Sequence, residues 1–114
     1  MREDWAAQFY AEAVVAGAAA DLGPFLAALD AEVFALKAGY GTRFVEVLVR
    51  ALFAAKADSW YAGQVLCWSV RDVLPPTLLL CWDEWHAWRE YESRHDTWSY
   101  GVSSGALPPY GSGY

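Results

Sequence analysis

Hydrophobic positions along this chain recur every three to four residues, and proline and glycine divide them into five runs. That spacing is the signature of one-sided helices. The first run, REDWAAQFYAEAVVAGAAADLG, opens on acids that suit a helix N-terminus and reaches Gly23, the expected C-terminal stop. Gly23-Pro24 begins the second, PFLAALDAEVFALKAG, with proline in the first turn and Gly39 as its stop. The third, RFVEVLVRALFAAKA, has Thr42 as its expected cap and pairs Glu46 with Arg50 at i,i+4. Asp58-Ser59 caps the fourth, WYAGQVLCWSVRDVL, which Pro75-Pro76 ends. Thr77 opens the fifth, LLLCWDEWHAWREYESR. RFVEVLVRALF alternates briefly like a strand, but its alanine-rich continuation favours helix. The expectation is an all-α, compact bundle of about five helices over residues 1–95. Residues 96–114, rich in Gly, Ser and Tyr, are expected to form a flexible C-terminal tail.

The faces of these helices are unequal. At roughly 100° per residue, Leu78, Cys81, Trp82, Trp85 and Trp88 fall within an arc of roughly 120°, an amphipathic stripe suited to a core. Trp88 and Tyr91 drift to the edge of that stripe, where an indole N–H or a phenol can stay wet. In the fourth run Gly63, Leu66, Val70, Val73 and Leu74 make the apolar face. Tyr61, Gln64, Trp68, Arg71 and Asp72 gather opposite. A tryptophan flanked by Gln, Arg and Asp reads as an interaction surface, because Trp, Tyr and Arg dominate binding hot spots. Phe34 and Phe53 also oppose the main stripes of their helices and are expected to be sandwiched between neighbours or to meet a partner. In the first run Ala13, Ala16, Gly17 and Ala20 follow Trp5 and Phe9, a flat face against which bulky rings can pack.

Composition narrows the function. The 114 residues suffice for one domain, and 19% charged residues with 56% hydrophobic ones mark a globular chain. Twenty alanines, no isoleucine, no asparagine and two lysines suggest a GC-rich coding genome, bacterial or phage. A net charge of −6 is wrong for a nucleic-acid footprint. No uncharged apolar run reaches the roughly 20 residues of a membrane span, and no signal peptide is expected from MREDWAAQFY. Cys67 and Cys81, without a repeated spacing, read as reduced thiols of a cytoplasmic protein.

Catalytic patterns are weak. Asp83 with His86 and Glu92 with His95 have the i,i+3 spacing of di-metal bundles, but such sites need the motif on separate helices with two further glutamates. There is no nucleophile elbow, and KAGYGTR lacks the spacing of a phosphate loop. The expectation is a non-enzymatic protein, without cofactor or metal, that binds another protein or a second copy of itself. Tyr61, Gln64, Trp68, Arg71, Trp88 and Tyr91 are the candidate contacts. Two alternatives accompany this reading. The segment WDEWHAWREY resembles the aromatic C-terminal segments of some small phage tail-assembly chaperones, a likeness over ten residues that implies an assembly role. The acids Asp83, Glu84, Glu90, Glu92 and Asp96 suit an inhibitor that imitates nucleic acid on a basic target.

Overall fold

A computed structural model describes the backbone of residues 2–36 and 39–104, and the side chains of 2–36 and 39–92. The protein is all-α: α1 (Arg2–Val15), a short 3-10 turn (Ala19–Leu22), α2 (Gly23–Leu36), α3 (Tyr40–Ala55), α4 (Trp60–Arg71) and α5 (Pro76–Ser104). No strand occurs among the described residues. The chain forms two compact units, Met1–Asp83 and Glu84–Tyr114. The first holds α1 to α4 and residues 76–83 of α5; the second holds residues 84–104 of α5.

Local chemistry explains most boundaries. α1 stops at Gly17 rather than at Gly23. Gly17 has φ +73°, its N–H donates to Val14 O (3.1 Å), and the Ala18 N–H donates to Ala13 O (2.8 Å). These are the two reverse bonds of a Schellman ending, which glycine enters without a Cβ penalty. Gly23 instead begins α2 in right-handed geometry, with Pro24 in the first turn as expected. Thr42 is not the cap of α3. Gly39 is the N-cap, and the Thr42 hydroxyl donates back to Gly39 O (3.0 Å) from inside the first turn. Ser59 caps α4 as expected, accepting from the Ala62 N–H at 3.2 Å. α5 continues to Ser104, past the expected end at 95. Gly101 is the lone helix breaker over 96–104, and proline arrives only at 108. Residues 105–114 of the expected tail lie outside the described residues, as do positions 37–38 before Gly39.

The core of the first unit centres on α3. Phe44, Val45, Leu48 and Leu52 are fully buried, each contributing about 1.5–3 kcal/mol as an upper estimate. α1 lies against them with Ala6, Ala7, Tyr10 and Ala11. The close-packing face of α1 is therefore not the expected one: Ala16, Gly17 and Ala20 are exposed, as are Trp5 and Phe9. The alanines beside α3 let the two backbones approach, Tyr10 is the one ring of α1 that packs inward, and Trp5 and Phe9 turn outward. Gly41, at the start of α3, permits another close approach. A methyl there would overlap Cys81 Sγ and stand 2.8 Å from Val33 Cγ1.

Ion pairs stitch the surface of the first unit. Arg43 forks onto Asp4 with two 2.9 Å hydrogen bonds, which hold the Asp4 carboxyl below its ordinary range against the opposing effect of desolvation. Glu46 meets Arg50 at 2.9 Å, the expected i,i+4 pair, and Arg2 meets Glu32 at 3.0 Å. The start of α5 is satisfied from afar: the Leu78 N–H donates to Asp30 Oδ1 of α2 at 2.7 Å. Cys67 and Cys81 are not joined in a disulfide, and burial pushes the Cys67 thiol up to about 11.

Candidate functional site

The outward face of α4 is built by what its inward face excludes. From the Ser59 cap the helical period sends Gly63, Cys67 and Val70 into the core. Phe53 of α3 lies so close over Gly63 that a methyl there would overlap the ring, 2.8 Å from Cε1. No large side chain fits on that side. Val73, expected on the apolar face, is instead exposed, and Cys67 occupies the buried register.

Tyr61 and Trp68, one heptad apart, meet edge to face with ring centroids 6.3 Å apart. Their relative exposures are 65% and 52%. Trp60, more exposed still, stacks loosely on Phe53 at 6.2 Å, and exposed Val65 lies on the same outward half of the helix. Gln64 is half-buried. Arg71 borders the rings and forks onto Asp83 through 3.1 and 3.0 Å hydrogen bonds. Four of the six candidate contacts, Tyr61, Gln64, Trp68 and Arg71, thus share one face, with both charges of its ion pair already matched.

Trp88 and Tyr91 belong to the second unit. Their rings stack at 6.0 Å and are 54% and 59% exposed, as their drift off the stripe implies. Trp82, in the first unit, is buried as expected, whereas Trp85 is half-buried, with Arg89 5.4 Å above its ring.

A further aromatic group was not legible as one. Trp5 stacks on Phe9 (5.3 Å), and Phe9 tilts against Phe25 of α2 (5.2 Å), giving a three-ring ladder across α1 and α2. The i,i+4 spacing of Trp5 and Phe9 is visible in the sequence. The side they face depends on Ala6, Ala7 and Tyr10 winning the core position. Phe34 stands exposed on α2 rather than sandwiched, and half-buried Phe53 sits between Gly63 and Trp60.

These surfaces offer apolar area, ring edges and an arginine paired with Asp83. Among the described residues no three His, Cys, Asp or Glu side chains group as a metal site, and no helix is long and apolar enough to cross a membrane. Comparison with protein-family models, curated proteins and solved structures returned no match.

Proposed function

We propose that this chain acts without catalysis, by binding another protein or a second copy of itself, with the outward face of α4 as the principal contact. The Trp88–Tyr91 pair serves the same role on the second unit. One observation carries the reading. Tyr61 and Trp68 hold each other edge-on while each residue keeps more than half of its surface in solvent, on a helix whose opposite face is closed. Rings already fixed in orientation lose little freedom on binding, and Trp, Tyr and Arg are the residues that dominate hot spots. The nucleic-acid-mimic alternative has less support, because Asp83, the first of its acids, is already forked by Arg71, and Arg89 and Arg94 interrupt the others along the sequence. The tail-assembly likeness is compatible with the proposal, although its first tryptophan, Trp82, serves the core.

Light scattering and affinity capture on the wild type, a Tyr61→Ala/Trp68→Ala double variant and Trp5→Ala test the proposal. The wild type should form an oligomer or retain a partner, and the double variant should weaken that complex at least about 30-fold, the hot-spot scale. Trp5→Ala should leave it intact. A monomer whose captured partners are indifferent to the double variant would refute the reading.

A further inference from the structure

We infer that the cleft between α1, the Ala19–Leu22 turn and α4 binds a small uncharged molecule, mostly apolar, that offers one hydrogen-bonding group to the Tyr10 hydroxyl. The cleft measures about 320 Å³, at the lower end of the range for small-molecule sites. Leu26, Leu66 and Val70 supply its apolar wall, and no charged side chain lines it. That lining admits a hydrocarbon body and disfavours an ion, whose desolvation nothing there would offset.

Tyr10 gives the site its polar point. The residue is 1% exposed, yet its hydroxyl makes no hydrogen bond to any described residue. No side-chain oxygen sealed from solvent lacks a partner among the described residues, so this hydroxyl keeps a small contact with solvent, and its residue lines the cleft. Burial raises its pKa above the ordinary 10, which keeps the proton in place for donation to a ligand oxygen. A guest oxygen placed there would exchange a bond to water for one inside the cleft, where the net gain is that of a single hydrogen bond.

The space itself follows from the Schellman ending. Gly17 and Gly23 line the cleft, and a Cβ on either would meet nothing within 4 Å. The opposite wall is thus mainly backbone and methyl groups, leaving room where ordinary side chains would close it. Exposed Ser69 adds a second hydroxyl-bearing residue to the lining.

The probes are p-cresol and its non-hydroxylated counterpart toluene, titrated into the intact chain and followed by amide chemical shifts. Saturable shifts are expected at Gly17, Ala20, Gly23 and Val70, with p-cresol bound about fivefold more tightly, the scale of one net hydrogen bond. Tyr10→Phe should erase that preference while leaving toluene binding unchanged. Gly23→Leu, which tolerates a side chain at its right-handed φ of −54°, should block both probes. Shifts confined to the exposed tryptophans, no saturable binding, or a preference that survives Tyr10→Phe would each overturn the inference.

Discussion

α3 and α4 are neighbours that treat their rings in opposite ways. α3 places Phe44 at zero exposure among Val45, Leu48 and Leu52, and its outer side carries the Arg43, Glu46 and Arg50 pairs. α4 buries only Gly63, Cys67 and Val70 and keeps Trp60, Tyr61 and Trp68 outside. The difference is one of available space. Phe53 stands over α4 where a bulky residue would otherwise go, so the helix docks through its smallest side chains. Ring content alone therefore says little about where a core lies. On α3 the large apolar groups measure stability; on α4 they measure surface.

The sharpest way to break that contrast is to truncate one side chain on each helix. Leu48→Ala should cost about 2–5 kcal/mol in denaturant unfolding, the range for a fully enclosed leucine. Trp68→Ala should stay within about 0.5 kcal/mol of wild type, as surface changes do. Equal losses would mean that α4 has no free face.

The next largest effect probes the close approach. Gly63→Ala should destabilise by about 1–3 kcal/mol through overpacking against Phe53, and Phe53→Leu should relieve part of that loss in a double-mutant cycle. Gly23→Ala, with open space around its Cβ position, should be neutral or slightly stabilising.

Asp30→Ala removes the acceptor at the start of α5 and should cost about 0.5–2 kcal/mol in the same assay. Asp30→Asn, which keeps an oxygen there, should cost less.

The last effect is invisible at neutral pH. The Cys67 thiol ordinarily titrates near 9 and is pushed to about 11 by burial, while Tyr10 is raised above 10. The folded state therefore holds more protons than the unfolded chain above pH 9. Their contribution to stability is complete below that pH and declines as pH rises through 11. Urea midpoints measured from pH 8 to 11 should fall over that window. Cys67→Ala should flatten the fall even though it lowers the starting value.

What was legible in the sequence followed distance along the chain. The Ser59 cap, the Glu46–Arg50 pair and the polar company of Trp68 are all local, and each appears as read. Gly17 and Gly23 both punctuate the end of α1, and nothing in the letters ranks them. The choice falls to the left-handed backbone at Gly17. Trp5 and Phe9 carry far more apolar surface than Ala6 and Ala7, yet α3 selects the smaller pair because a close helix crossing needs it. Thr42 fits a cap by type and loses the position to Gly39, one turn earlier. The Asp30 link to Leu78 spans 48 residues and has no local signature.

That link also bears on how the molecule is made. Synthesis releases the carboxylate of α2 well before the amide it serves, so the acceptor waits in water while nearly fifty further residues emerge. Leu78 and Trp82 complete the interior only after that amide arrives. A ribosome-bound chain halted ahead of Pro76 would carry an unfinished pocket for a chaperone to guard, and final closure should be a late, concerted step.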